Sequence, residues 1–515
     1  MFSSSVNQLL NAYNTLYVNS TPNNNQLINR KGVQKMKLNR VTRWLALLGA
    51  VLLAGTAAGC QKQAAAAPVA QKLTAPKAAP ATVHDPSIVQ TNGRYYIIGS
   101  HMQFASSKNL IQWQQLSTSV KDTKLFSNIT AELGPALSDA ETDTFWAGDI
   151  EQLKDGKYYM YYCACQGSSP TSVLGVAVAD KVTGPYKDQG IILRSGGAIK
   201  DDAAYDATQQ PNVVDPHVFH DQTGQLWMVY GSYSGGIFIL KMNEETGKPY
   251  PGQGYGQRLL GGNHVRIEGA YMLYNKQTDY YYLFLSFGGL SADGGYNLRV
   301  FRSRQPNGGF VDAQGQQAAD IRGKLGTTFD DAAIQDYGNK LIGNFTWKEG
   351  SKQGGYVSPG HNTAFQDKQT GKYFVMFHTR FPGRGEYYED RVHQMFFTRD
   401  GWPVLNPAPY DQETKTNYTT KQVIGDYQIV QMNKLITEDP ATAKTTTVDQ
   451  DGKLTGKVTG SWTNKNGQAT LKTNQTTYSG VFISSWDPYQ KAQTMMFSGT
   501  DAQGEPVFMR RMVTR

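Results

Sequence analysis

Cysteine is almost absent from this chain of 515 residues, which holds three: Cys60, Cys163 and Cys165. That scarcity excludes a disulfide framework. Cys163 and Cys165 sit two apart in YYCACQG, on one face of a predicted strand and badly placed to bridge each other. They are expected to be buried free thiols rather than a metal or redox pair. Long apolar runs are also lacking, since the stretch from Trp44 to Leu53 is too short to cross a bilayer. Helical periodicity is not evident between residues 82 and 410. The formal charge of +8 is partly carried by Arg30, Lys31, Lys35, Lys37, Arg40, Arg43, Lys62, Lys72 and Lys77, in a front segment without acids. The remainder is nearly balanced, so no nucleic-acid partner is implied.

What is present at the front is a sorting signal. Lys37, Arg40 and Arg43, the apolar run, and small residues ending at Cys60 follow the order of a secretory leader. With Met36 as the start, residues 36–60 read as a signal peptide, and residues 1–35, rich in Asn and Ser, as an upstream extension or misassigned start. Ala57-Ala58-Gly59-Cys60 is similar to the lipobox of bacterial lipoproteins, with Ala57 where Leu is usual. Lipidation of Cys60 is expected, with plain secretion as the alternative. Residues 61–81, made of Ala, Pro, Gln and Lys, are expected to form a flexible tether. It would hold the protein at the outer face of the cell membrane, touching the membrane only through the lipid.

Five stretches then repeat one phrase: an acidic or polar residue at a turn, a few apolar residues, turn residues, and a Tyr- or Trp-rich alternating strand. They are VHDPSIVQ with Asp85, WAGDIEQL with Trp146 and Asp149, VVDPHVF with Asp215, RIEGAY with Glu268, and PGHNTAF with His361. Hairpin-sized repetition predicts an all-β fold, a five-bladed β-propeller over residues 82–410, with an insertion between Arg304 and Gly355. Past Tyr410 the chain turns rich in Thr, Gln, Asn and Lys, and its short strands read as a separate C-terminal antiparallel β-barrel over 411–515. The mouths of propeller blades converge on one axis. Carboxylates gathered there repel one another and lose hydration, so a fold that keeps three of them is expected to use them. Most of the 30 tyrosines fall on alternate strand positions, as packing between blades, with a few rings left for a sugar groove.

The phrases VHDP, WAGDI, VVDPHVF, RIEGAY, YNLRVFRS, SPGHN and DGWPV, in this order, resemble those of glycoside hydrolase family 43, and of its arabinanases in particular. The resemblance covers Val83 to Tyr410, and the tail resembles the barrel of the two-domain endo-arabinanases. It implies an extracellular, monomeric enzyme that cleaves internal α-1,5-L-arabinofuranosidic bonds of arabinan with inversion. It gives Asp85 the role of general base, Glu268 that of general acid, and Asp215 that of modulating pKa and orientation. Chemistry supplies a reason for each: inversion needs a carboxylate to deprotonate water on one face of the sugar and a protonated carboxyl on the other, ~6.5–9.5 Å apart. A third carboxylate beside Glu268 would keep it protonated by repulsion.

The same resemblance makes His361 the ligand of a single central Ca2+ completed mostly by water, although calcium prefers oxygen and the residue chemistry alone favours a hydrogen-bonded histidine. Trp146 stacks on a sugar ring or packs in the core. His84 and Arg380 are assigned to the substrate. Asp149 shares their neighbourhood, but it stands where the family's WAPD aspartate supports the site, with Gly148 replacing the Pro. An exo-acting α-L-arabinofuranosidase or β-xylosidase would carry the same trio. A non-catalytic glycan-binding lipoprotein would have no use for carboxylates that are costly to bury.

Overall fold

The computed structural model describes residues 77–199, 204–349, 352–414 and 417–513. The leader, Cys60 and the tether up to residue 76 lie outside the described residues.

Among the described residues, five sheets, antiparallel except for one short strand, and one closed barrel account for the strands. The innermost strands are Ser87–Thr91, Asp149–Gln152, His217–His220, Ile267–Asn275 and Lys352–Gln366. Each touches the next and the last returns to the first, so the sheets are the five blades of a closed propeller. Strand alternation explains how blades adhere. In Tyr158–Cys165 every residue is buried. Tyr158, Met160, Tyr162 and Ala164 pack with Val89 and Phe104 of the first blade, whereas Tyr159, Tyr161, Cys163 and Cys165 pack with Val218 and Met228 of the third. Both cysteines are free and buried on that second face, as expected.

Three features differ from the sequence-based expectation. The propeller region contains an α-helix, Ile129–Asp139, capped by the Asn128 side chain accepting from the backbone N–H of Ala131 at 3.0 Å. Gly134 and Pro135 in mid-helix hide its periodicity, and it persists because Ile129, Leu133 and Ala136 are buried in the core between the first and second blades. The first blade also takes in the end of the expected tether. The Ala79 N–H donates to the Ile111 carbonyl at 3.1 Å, the Trp113 N–H donates to the Ala79 carbonyl at 2.8 Å, and Ala81 is buried.

The third difference concerns the barrel. Its eight strands run from Gly425–Gln431 to Pro506–Arg511, with the last pairing the first. Tyr427, Ile429, Leu471, Phe497 and Met509 fill it. The alternate residues Val430 and Phe508 face outward into a core shared with Phe345 and Trp347 of the propeller. Ala441–Thr442 extends the fifth blade's sheet as a parallel strand beside Phe345–Glu349. Arg299, fully buried in the fourth blade, donates to the carbonyls of Gln335 and Tyr337 and across the boundary to that of Lys434. The barrel is therefore joined to the propeller rather than standing apart from it.

Candidate active site

The residues at the mouths of the blades sit on unusual backbone. Asp85, Asp215 and His361 have φ of 60°, 55° and 49°, and Glu268 precedes Gly269 at 61°. L-residues in this left-handed region are uncommon and cluster at functional sites. Register shifts accompany two of them, between Glu268 and Tyr271 and on both sides of Gly360. Gly360 is required by packing: a Cβ there would lie 1.9 Å from Cδ1 of Tyr296.

These turns bring Asp85 among histidines. Its Oδ2 lies 2.7 Å from Nδ1 of His84 and accepts from Oγ of Ser100 at 2.5 Å, while its Oδ1 lies 3.1 Å from Nδ1 of His361 and 3.3 Å from Nε2 of His378. Burial alone would raise this carboxyl. His361 and His84 by charge, with His378 and His84 by hydrogen bonding, outweigh burial and hold it well below the usual range. The His378 ring stacks on His84 at 4.3 Å and on Tyr296 at 6.0 Å. Burial first, and then His84, push His378 down to about 3, so it is neutral.

Glu268 has different company. Its Oε1 accepts from Tyr296 Oη and its Oε2 from Ser232 Oγ, both at 2.8 Å. Asp215 receives only the Gly269 N–H, at 3.4 Å. Burial, then Glu268 and then Asp85, push Asp215 well above the usual carboxylate range. Burial, with Asp85, also raises Glu268, against the opposing pull of His361, Tyr296 and Ser232. The two titrate as a pair. The cluster thus favours the ionised form of Asp85 and the protonated form of Asp215 and Glu268, the division that acid–base work requires.

The remaining expected residues separate. Both oxygens of Asp149 are committed to other blades: Oδ1 accepts from Ser87 Oγ at 2.5 Å and Oδ2 from the Val218 N–H at 2.6 Å. It joins three blades and does not face a sugar as a free group. Trp146 is half-buried, donates its indole N–H to the Cys165 carbonyl at 2.8 Å, and meets the ring of His101 at 5.8 Å. Arg380 is buried, bonds Glu386 through Nε at 2.5 Å, and leaves Nη1 without a partner. His84 stays against the Asp85 carboxylate and stands edge-on to Tyr388 at 5.2 Å. Ser100, His101, Ser232, Tyr296, His378 and Tyr388 were not singled out from sequence. Two signals were available: Tyr296 opens the quoted phrase YNLRVFRS, and His378 stands two residues before Arg380 in FHTRF.

A metal has two possible seats. His84, Asp85 and His378 offer ligand atoms within 4.8 Å of one another. Two imidazoles and one carboxylate suit a transition ion better than calcium, and such an ion would occupy the Asp85 carboxylate. His361 offers calcium a single imidazole whose Nδ1 faces Asp85. On the same strand, Asn362 Oδ1 is buried without a protein partner. These residues fit calcium only as an ion that keeps most of its water.

Residues 79–403 match the family described as Glycosyl hydrolases family 43, and residues 407–509 match its C-terminal lipocalin-like domain. Among characterised relatives, the extracellular endo-alpha-(1->5)-L-arabinanase 2 of Bacillus subtilis is 52% identical over 433 residues, covering 83% of this chain and 92% of that protein. The extracellular endo-alpha-(1->5)-L-arabinanase of Thermotoga petrophila is 46% identical over 444 residues, covering 83% and 93%. The crystal structure of a family 43 glycoside hydrolase from Bacillus licheniformis is similar with a TM-score of 0.82 at 51% identity, covering 85% of this chain and all (100%) of that one.

Proposed function

The chain belongs to glycosyl hydrolase family 43, and we propose that it is an extracellular endo-α-1,5-L-arabinanase that works with inversion. The observation that carries the chemistry is the opposed state of the carboxyl groups: Asp85 held low by histidines, Asp215 and Glu268 held high by burial and by Asp85. In this reading Asp85 takes a proton from a water as that water attacks the anomeric carbon. Glu268 gives its proton to the departing O5 as the glycosidic bond breaks. Asp215 keeps the second proton-binding site charged or neutral as Glu268 requires, so that the proton stays with the pair until it is delivered. Free Nη1 of Arg380, together with His84, Trp146 and His101, is assigned to the sugar. Asp149 holds the blades that carry them.

His361 is proposed as the one protein ligand of a hydrated Ca2+, which would add positive charge near the carboxylates. Cys60 is proposed as the site of lipid anchoring, and the enzyme as a monomer. Incubation with debranched arabinan tests the function. Mixed oligosaccharides with inverted anomers by NMR are expected in the first minutes. Release of arabinose alone would make the enzyme exo-acting, and no release would refute the assignment.

A further inference from the structure

Away from the axis, the propeller and the barrel border a half-open cavity of about 450 Å3. Its walls include Trp113 on the outer strand of the first blade, Phe381, Glu389 and Arg391 of the fifth, and Trp486 and Tyr489 of the barrel. Asp85, Asp215 and Glu268 do not line it. Size, aromatic walls, a few convergent polar groups and a domain boundary are together the makeup of a ligand site.

Three observations narrow the ligand. Charge in the lining is mixed rather than of one sign: Arg384 and Arg391 stand with Glu389, Asp390 and Asp411, Arg391 pairs with Glu389 at 2.5 Å, and burial raises Asp390 well above the usual carboxylate range. Nothing there draws an ion. Flat apolar faces are available, since Trp113 and Trp486 are only half-buried and Tyr489 is 36% exposed. Finally, Glu389, Arg391 and Asp411 put both acceptors and donors on the cavity wall, a mix that sugar hydroxyls, which donate and accept, can meet.

We propose that this seam cavity is a second binding site, for a neutral pentose oligosaccharide, separate from the catalytic cluster. Identification of the sugar as arabinan rests on the function proposed above. The two sites lie a single strand apart. Tyr388 meets the His84 ring, while Glu389 and Arg391, next along the same strand, line the cavity. A chain held at the seam would keep its free length close to the catalytic carboxylates, raising their effective substrate concentration.

The test is calorimetric titration of the full chain carrying Glu268→Gln with arabinohexaose, beside hydrolysis of debranched arabinan by the unaltered protein. Two classes of site are expected. Trp486→Ala in the same background should leave one class, and Trp113→Ala serves if the first variant fails to fold. In the otherwise unaltered enzyme, the same substitution should raise KM on the polymer about threefold or more while kcat holds. Hydrolysis by a chain that shows a single class of site overturns this inference alone, whether the cavity takes no sugar or is filled by the chain's own N-terminal residues. Two unchanged classes in a folded variant also overturn it. Absence of both binding and hydrolysis refutes the proposed function as well.

Discussion

Oη of Tyr296 lies 2.8 Å from Oε1 of Glu268, on a ring packed so closely against Gly360 that a methyl group there would lie 1.9 Å from it. The phenol therefore has a fixed seat, and its proton stabilises the ionised form of the carboxyl assigned as the acid. Tyr296→Phe removes this donor and should make Glu268 hold its proton to higher pH. The alkaline limb of the kcat/KM profile is expected to move up by about one pH unit, equivalent to ~1.4 kcal/mol. A pH–rate profile on arabino-oligosaccharide measures it, and an unmoved limb would assign that titration to another group.

Asp85→Asn and Glu268→Gln each remove a proton-transfer partner and are expected to lower kcat by ~10^2- to 10^4-fold. Neither change creates a cavity, so folding should survive. Turnover and thermal unfolding on the same preparations separate the two effects. Near-normal turnover in both variants would sink the assignment.

Stability should fall with pH through a group far from the axis. Glu413 is pushed up to about 8, by burial first and then by Asp411. Its folded-state pKa exceeds the unfolded value, so the stability it contributes is complete at acid pH and is lost as pH rises through about 8. The melting temperature is expected to decline from about pH 5 to about pH 8, and Glu413→Gln should flatten that slope. Scanning calorimetry across the range reads it directly; parallel slopes in the two proteins would mean that Glu413 is not responsible.

Truncation after Tyr410 should yield no soluble propeller. It would strip the partner strand from Phe345–Glu349, expose Trp347 and Phe345, and leave the buried Arg299 guanidinium without the Lys434 carbonyl. Removing the partner of a buried charge is among the most damaging changes. Soluble yield and the number of thermal transitions check this, with one shared transition expected for the intact chain.

Much of the site could be read from the sequence because its main acids obey a local rule. Asp85, Asp215 and Glu268 each open an inner strand, and periodicity alone finds that position. What periodicity cannot find is a partner supplied by another blade. Tyr296 and Ser232 reach Glu268 from two different segments, and His378 lies inside a strand whose residues are all buried. Asp149 shows the same limit from the other side. It has the right phase, but Ser87 and Val218 had already taken both of its oxygens. The barrel was foreseen as a fold, with a buttressing role or a polysaccharide-binding one left open, since an outward Phe508 reads the same whether it meets solvent or a propeller.

The ring is closed by contacts between the first blade and the last, and that seam runs through Asp85, the residue proposed as the base. Asp85 arrives early in synthesis, whereas His361 and His378 arrive nearly three hundred residues later, and Asp390 secures Val83 across 307 positions. No partial chain can therefore assemble the histidine surroundings of Asp85. Glycosidic cleavage becomes a reporter of ring closure itself, and a chain that stops short of His378 is expected to carry no hydrolytic activity.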